Sequence, residues 1–357
     1  MPNSTLLPLE EYARSIFVTE KDRMPDRTVD YWARYIGLVA GLREHVYPQI
    51  NAGLACLSKS PGIYTDHGPE HFDEVVRYAG NMLGIAGPIE KKSGLSAYEI
   101  YLLLCAIRLH DAGNIDGRED HEKRAFAMLY EYGGNISKDS AEALLIGQIA
   151  DAHGGHTMAG SKDTIGELPQ DGTPVAATTC RPRQVAALVR FADEICEHSS
   201  RAARHHLNSG TLPVENKLFH IYAESITGAV CDSNGGFKLK IDIKTKYLKE
   251  KYPHPKIAEG QYVIDEVFDR ISKLDCERRY CNQYLDPGLQ TRELDISINL
   301  LEEKLYGEKI SIPSVVKSLG FRIPSKDGYP ATQDSWRTGQ HEWQGQNLAE
   351  TALKGWA

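Results

Sequence analysis

One stretch of the sequence joins an apolar helix to two polar side chains that suit metal chemistry. Residues 101–109 are almost all apolar, which predicts a buried helix, and they run directly into His110 and Asp111 before Gly113 breaks the helix. A histidine and a carboxylate at the end of a buried helix are costly unless they are paired or bound to something. Adjacent helical residues point about 100° apart, so both side chains can reach one ion beyond the helix end. The pair therefore predicts a metal site.

Further candidate ligands fall at helix ends or on inward helix faces. The predicted metal ligands are His71, His110, Asp111, His121, His153 and Asp193, with His156 as an additional candidate. A carboxylate such as Asp193, beside an apolar helix face, needs a cation, a cluster of donors or a raised pKa, and a salt bridge to an arginine is the alternative. Mixed histidine and carboxylate sets suit Mn²⁺, Fe²⁺, Co²⁺, Ni²⁺ or Zn²⁺ more than Ca²⁺, and Mg²⁺ stays open. A divalent transition metal is therefore the predicted cofactor.

Helical periodicity covers most of the chain and predicts a mainly α fold. Apolar residues recur at three- and four-residue steps between Tyr31 and Leu42, within a helical extension over residues 1–58. Pro182 opens a long helix that is predicted to reach about Leu207. Helices are also predicted from about Lys256 to Tyr284 and from Arg292 to Tyr306. We expect a helical bundle with a small β-hairpin element and C-terminal helices.

One later segment alternates apolar and polar residues with a period of two. This alternation over residues 237–244 predicts a strand, with residues 226–231 as its partner and Asn234-Gly235-Gly236 as the turn. The chain is therefore predicted to divide into four parts. These are an N-terminal extension (1–58), a metal-binding catalytic core (59–212), a hairpin with C-terminal helices (213–320) and a polar tail (321–357).

The order of the candidate ligands resembles the HD superfamily of metal-dependent phosphohydrolases over about residues 60–205. That family is a bundle of helices whose ligands occur as a histidine, then a His-Asp doublet, then a distant aspartate. His71, the doublet His110-Asp111 and Asp193 match these positions. Residues 64–68, Tyr-Thr-Asp-His-Gly, and the hairpin are more similar to HD variants of bacterial conflict systems, which would imply antiviral defence. Asn114 replaces the lysine of the cyclic-di-GMP hydrolases, which argues against that substrate.

The resemblance implies two metal ions and assigns roles to the ligands. Family members with two ions carry extra histidines after the doublet, and His121 and His153 stand at those places. Asp111 is then the bridging ligand, and His110, Asp111 and His121 are the predicted catalytic residues. A bound divalent ion lowers the pKa of water from about 15.7 towards about 7, while a second ion holds a phosphoryl oxygen.

Several basic side chains are candidates to bind the phosphates of the substrate. The predicted substrate-binding residues are His67, Arg118, Lys123, Arg124 and Arg201, with Arg204 one turn further on. For each arginine and lysine taken singly, a solvated helix face is the alternative.

The composition of the chain limits which binding partners and which cellular compartment are expected. The formal net charge is -8 and the pI is near 5.9, so no overall basic field draws the protein to duplex nucleic acid. The 7 cysteines are scattered without a Cys-x-x-Cys pair, which suits a reducing cytoplasm and disfavours a structural zinc site. No signal peptide and no run of about 18 apolar residues is evident, so no membrane partner is expected. The terminal helices are candidate surfaces for a homo-oligomer.

These features predict a metal-dependent phosphohydrolase that uses metal-activated water. Its substrate would be a phosphoester or phosphoanhydride of a nucleotide: a mononucleotide, a deoxynucleoside triphosphate, or a cyclic or linear dinucleotide. One alternative is a nuclease of the same fold for single-stranded nucleic acid, which needs a basic channel with stacking aromatics. The other is a nucleotide-sensing scaffold without turnover.

Overall fold

The computed structural model describes residues 6–59, 62–85, 94–136, 139–175, 178–231, 235–303, 305–306, 309–310, 313–324 and 341–356. The chain divides into two compact units. The first contains Met1–Pro61, His67–Cys196 and Arg279–Gln290, and the second contains Gly62–Asp66, Glu197–Arg278 and Thr291–Ala357. The four-part division drawn from the sequence stays a prediction.

The first unit is built almost entirely from helices. In chain order these are α1 (Pro8–Thr19), α2 (Tyr31–His45), α3 (Ile50–Leu57), α4 (Pro69–Met82), α5 (Ala97–Leu109), α6 (Ala125–Tyr132), α7 (Ser140–Asp151) and α8 (Pro182–Glu194). Short 3-10 helices cover Ala112–Asp116 and His121–Arg124, and a two-stranded ribbon pairs β1 (Thr173–Val175) with β2 (Thr178–Cys180).

Helix α5 lies at the centre of this unit, because every one of its residues is buried. It packs against α1, α2, α4, α7 and α8. Its start is fixed by a capping box in which the Ser96 hydroxyl accepts from the Glu99 N–H and the Glu99 carboxylate accepts from the Ser96 N–H. The all-round apolar character of α5 is thus explained by helices on every side.

A buried guanidinium ties the N-terminal helices to this centre. Arg108 of α5 donates to Glu10 Oε1 of α1 at 2.8 Å, to Asp73 Oδ1 of α4 at 2.6 Å and to the Tyr35 hydroxyl of α2 at 3.0 Å. The side chain of Arg108 is 1% exposed. A charge at that depth is tolerated because carboxylates pair with it. The three helices therefore close over the α5 segment that leads into the doublet.

The second unit combines helices with a four-stranded sheet. Its elements are α9 (Arg204–Ser209), α10 (Val214–Ser225), β3 (Ile226–Cys231), β4 (Gly236–Lys244), β5 (Tyr252–His254), β6 (Ile257–Gln261), the larger part of α11 (Val263–Asn282), β7 (Glu293–Glu302), β8 (Leu305–Tyr306), β9 (Lys309–Ile310), β10 (Ser314–Ile323) and α12 (Gly345–Lys354). The sheet order is β10-β7-β4-β3, with β4 and β7 parallel and the other two pairs antiparallel. On β4 and β7 alternate side chains are buried, and Phe268 of α11 stacks on Phe321 of β10.

The mainly α fold and the β3–β4 hairpin are confirmed. Three predicted helices need correction. The helix from Pro182 ends at Glu194, because the chain enters the second unit at Glu197 and His198 is extended. Residues 257–261 form a strand before α11 begins. The segment predicted as a helix from Arg292 is strand β7, which explains its alternating burial. Asn234 of the predicted turn and much of the tail lie outside the described residues.

Across the described part of the chain, none of the helices combines the length and the apolar character that a membrane span requires.

Candidate metal centre

Five segments of the first unit bring side chains to one place. Pro69 at the first position of α4 starts the helix that carries His71, and α5 ends at His110, its C-cap. Asp111 follows directly, and the 3-10 helix that begins at His121 comes next. The remaining two side chains are His153, just after α7 ends, and Asp193 in the last turn of α8.

The first set of possible ligands contains His71, His110, Asp111 and Asp193, whose ligand atoms all lie within 4.8 Å of one another. His71 Nε2 is 3.5 Å from Asp111 Oδ2 and 3.3 Å from Asp193 Oδ1. His110 Nε2 is 3.7 Å from Asp111 Oδ2 and 3.5 Å from Asp193 Oδ1. Two imidazole nitrogens and two carboxylate oxygens thus surround one point in a buried pocket of side chains.

The second set contains His121 and His153 and shares Asp111 with the first. His121 Nε2 lies 2.9 Å from Asp111 Oδ1, and His153 Nε2 lies 3.6 Å from the same oxygen. Asp111 therefore presents Oδ2 to one pair of histidines and Oδ1 to the other. A carboxylate placed in this way can bridge two ions.

Backbone carbonyls fix the histidine tautomers. The Nδ1 atoms of His110, His121 and His153 lie 2.8, 2.8 and 2.7 Å from a carbonyl oxygen. The acceptors are the carbonyls of Ile107, Arg118 and Ala150. Because a carbonyl only accepts, each Nδ1 carries a proton, and in the neutral ring the Nε2 lone pair faces the carboxylates. This is the arrangement that metal-binding histidines show.

The electrostatics of the cluster favour ionised carboxylates. Burial alone would raise the pKa of Asp111, but His110 and the other histidines outweigh it and hold the pKa well below its usual value. Burial would also raise the pKa of Asp193, but His110 and His71 outweigh it and hold the pKa well below its usual value. Burial lowers the pKa of His153, which favours the neutral ring that binds a metal.

A divalent cation fits both sets. His71 Nε2 and His110 Nε2 are only 3.2 Å apart, a close approach of two nitrogens that a cation between them would stabilise. In the second set, His121 Nε2 is buried and has no aligned hydrogen-bond partner among the described residues. Burial would lower the pKa of His121, yet the carboxylates of Asp111 and Glu122 raise it to about 9, so a positive charge is favoured here. Nitrogen and carboxylate donors without thiolates match a divalent transition metal.

The predicted substrate-binding residues are placed differently from one another. His67 is buried, with Nε2 3.9 Å from Asp111 Oδ2, and Arg118 Nη1 lies 3.8 Å from Asp111 Oδ1. These two border the cluster without belonging to either set.

The other candidates make contacts of their own. Lys123 and Arg124 form exposed ion pairs with Asp120 and Asp116. Arg201 belongs to the second unit, where its Nε donates to the Asp66 carbonyl at 3.1 Å. Their substrate-binding roles stay predictions, and so does that of Arg204. The additional candidate His156 is exposed and belongs to neither set.

The sequence analysis missed the role of Glu122 beside the cluster, and it interpreted Gly113 only as a helix breaker. Glu122 Oε2 lies 3.0 Å from His121 Nδ1, next to the carbonyl that also faces this nitrogen. Gly113 lets two ligand-bearing segments approach, because a methyl group there would collide with the carbonyl oxygen of His121. Glu122 could have been suggested by its place beside a candidate ligand, whereas the tight contact of Gly113 leaves no signal in the sequence.

The sequence was also compared with known protein families, curated proteins and solved structures. The sequence model of the family described as HD-CE matches residues 62–270, more than half of the chain. The chain belongs to the HD-CE family. This confirms the resemblance to HD domains, which are generally metal-dependent hydrolases. No curated protein and no solved structure gives a match. All six predicted ligands of this HD-CE chain lie within the matched region.

Proposed function

We propose that this HD-CE protein is a phosphohydrolase that uses two divalent transition-metal ions to cleave a phosphoester or phosphoanhydride bond of a nucleotide. The observation that carries the proposal is the orientation of Asp111. Each of its carboxylate oxygens faces a different pair of buried histidines, with Oδ2 3.5 Å from His71 Nε2 and Oδ1 2.9 Å from His121 Nε2. A site for one ion would not need the second pair.

Each of the two sets would hold one of the two ions. His71, His110, Asp111 and Asp193 would hold one ion, and Asp111, His121 and His153 the other. Such ions supply an activated water at neutral pH and polarise a phosphoryl oxygen. The second set offers three protein ligands, so it leaves more room for substrate or water than the first.

The chain's own residues prepare this site in three ways. The carbonyls facing Nδ1 keep His110, His121 and His153 in the tautomer whose Nε2 can ligate. The low pKa of Asp111 keeps its bridging carboxylate ionised. His67 and Arg118, at the border of the cluster, offer hydrogen-bond donors to phosphoryl oxygens of the substrate.

The charge of the protein favours a small substrate. With a formal net charge of -8, a long nucleic acid would be repelled unless a local basic channel offset this charge. Lys123 and Arg124, the basic residues just after His121, are already paired with acidic neighbours. A mononucleotide, a deoxynucleoside triphosphate or a dinucleotide fits these features better than single-stranded DNA. Membership of a bacterial conflict system stays a prediction.

Metal binding provides the first test. Wild-type protein titrated with Mn²⁺ should bind two equivalents, Asp111→Ala should lose both, and His153→Ala should lose one and retain the other. His156→Ala is the matched control, because His156 lies three residues further on and belongs to neither set. Wild-type protein that binds no divalent transition metal would refute the proposal, and equal stoichiometry in wild type and Asp111→Ala would refute the bridging role.

Substrate class is tested with a panel of mono-, tri-, cyclic and linear dinucleotides, each supplied with Mn²⁺, Mg²⁺, Co²⁺ or Fe²⁺. Hydrolysis of one nucleotide class that is lost in Asp111→Ala and kept in His156→Ala would support the proposal. Cleavage of single-stranded DNA alone would favour the nuclease alternative. Metal binding without turnover of any substrate would favour the sensing scaffold.

A further inference from the structure

The side-chain amide of Asn114 carries a hydrogen-bond donor that the fold does not use. Asn114 is fully buried in the 3-10 helix after the doublet, and its Oδ1 accepts from Arg118 Nη1 at 3.3 Å. A guanidinium group only donates, so the amide oxygen must be the atom that faces Arg118. Its Nδ2 has no hydrogen-bond partner among the described residues. Leaving a buried donor without an acceptor costs free energy, so this nitrogen is available to a ligand, and its place beside Arg118 distinguishes it from other unpartnered amides.

Arg118, the partner of this amide, is anchored at the border of the cluster through its backbone. Its backbone N–H donates to Ser58 Oγ at 3.0 Å, and its carbonyl faces His121 Nδ1 at 2.8 Å. Gly117 before it has φ +103°, a conformation that L side chains rarely adopt. The guanidinium lies 3.8 Å from Asp111 Oδ1, while its side chain remains 44% exposed. An anion from solvent can therefore reach a guanidinium that the loop aims at the second set.

We propose that Asn114 and Arg118 form a specificity-determining pair that binds a phosphoryl oxygen of the substrate beside Asp111. This inference rests on the proposed function, which it deepens by naming the groups that recognise the phosphoryl group. Arg118 supplies charged donors, and Asn114 orients them through Oδ1 while its Nδ2 supplies a neutral donor. The planar guanidinium of an arginine matches phosphate oxygens with two parallel N–H groups, which is why arginine is common in phosphate recognition.

Inorganic phosphate serves as the probe, titrated into the full-length protein with and without Mn²⁺. We expect Arg118→Ala and Asn114→Asp each to weaken phosphate binding by about tenfold or more, the usual effect of losing one charge-assisted hydrogen bond. The double variant Asn114→Ala/Arg118→Ala should bind phosphate more weakly than Arg118→Ala alone, because the direct contact of Asn114 Nδ2 is lost as well, but the two losses should not be fully additive, because Asn114 also orients Arg118. Mn²⁺ binding should be no weaker in Arg118→Ala, because a positive charge beside Asp111 is removed, whereas a merely structural role of this side chain predicts weaker Mn²⁺ binding.

Gln184 provides a matched control for the buried substitution. It is 1% exposed, its Oε1 accepts from the Asp286 N–H, and its Nε2 has no hydrogen-bond partner among the described residues. Gln184→Glu therefore places a carboxylate at a comparable buried amide on α8 and should leave phosphate binding at the wild-type level. If Asn114→Asp fails to fold, the result with Arg118→Ala tests the proposal, because the side chain of Arg118 is 44% exposed and its removal leaves the buried amide in place.

The outcomes separate the two proposals. Phosphate affinity equal to wild type in Arg118→Ala would overturn the proposed pair, and phosphate affinity equal to wild type in Asn114→Asp would overturn the role of Asn114 Nδ2 as a donor to the anion. Either result leaves the Mn²⁺ stoichiometry, and with it the proposed function, intact. Conversely, failure of wild-type protein to bind Mn²⁺ would refute the proposed function, while the metal-free phosphate titration would still decide whether Asn114 and Arg118 bind the anion.

Discussion

Replacement of Arg108 by methionine should destabilise the first unit strongly. Methionine fills a similar volume with apolar atoms, so the main loss is the charge that neutralises Glu10 and Asp73. Glu10 is buried, and its carboxylate would be left with two neutral donors, the hydroxyl of Tyr35 and the N–H of Leu7. Removing one partner of a buried ion pair typically costs about 3–5 kcal/mol.

This loss should be visible as a lower thermal midpoint. For a domain of this size, each kcal/mol shifts the midpoint by about 2–4 °C, so we expect a decrease of about 6–20 °C by calorimetry or circular dichroism. Arg43→Met is the control, because Arg43 also pairs with Asp73 but its side chain is 41% exposed. That variant should lose no more than about 1 kcal/mol.

The dependence on pH gives a second check. Burial would raise the pKa of Asp73, but Arg108 outweighs it and lowers the pKa. The stabilisation from this pair is therefore complete above the unfolded pKa of about 3.9 and is lost as the pH falls through the folded value. Neutralising the orphaned carboxylate in Arg108→Met/Glu10→Gln should restore part of the stability. A loss below about 1 kcal/mol in Arg108→Met at neutral pH would refute the reasoning.

Three further predictions concern the doublet and its supports. Gly113→Ala should displace His121 and reduce Mn²⁺ binding from two equivalents to one, because the new methyl group would meet the His121 carbonyl. Glu99→Gln should lower the free energy of unfolding, measured with urea, by about 1–3 kcal/mol, because it weakens the contact with Arg181. Burial would raise the pKa of Glu99, but the contact with Arg181 outweighs it and lowers the pKa. The stability difference between wild type and Glu99→Gln should therefore be complete above about pH 4.3 and become smaller in more acidic solution. Glu122→Gln should weaken Mn²⁺ binding about tenfold in a metal titration, and unchanged affinity would mean that the carbonyl facing His121 Nδ1 orients this ring alone.

The sequence pattern was informative where one face of an element is buried. The apolar residues of α5 predicted a buried helix, and every residue of that helix is buried. The alternation in residues 237–244 predicted strand β4 and its antiparallel partner. The same alternation occurs in β7, at Leu294, Ile296, Ile298 and Leu300, but it was interpreted as a helix. The information was present there, and the wrong period was assigned to it.

Other features depend on distant parts of the chain and leave no local pattern. The end of α8 at Glu194 reflects the passage of the chain into the second unit, whereas its sequence remains compatible with a longer helix. The backbone of Arg118 is anchored by a hydrogen bond to Ser58, which is 60 positions earlier in the chain. The two-sided orientation of Asp111 depends on how the segments that carry His71, His110, His121 and His153 pack together. The sequence and the family resemblance could therefore suggest that Asp111 is a bridging ligand, but not which histidines each of its oxygens faces.

The helix ends of the first unit explain how its histidines are prepared for a cation. The last carbonyls of a helix have no partner within the helix, and a side chain that donates to one of them satisfies it. His110 and His153 each place Nδ1 beside a carbonyl in the last turn of the preceding helix, and His121 places Nδ1 beside the carbonyl of Arg118 in the loop before its 3-10 helix. This local contact sets the proton on Nδ1 and turns Nε2 towards Asp111 without help from any distant residue. The histidine tautomers are therefore fixed by secondary structure, and tertiary packing has only to bring the helix ends together around one carboxylate. Asp111 and Asp193 supply the negative charge that attracts a cation, because their low pKa values keep both carboxylates ionised.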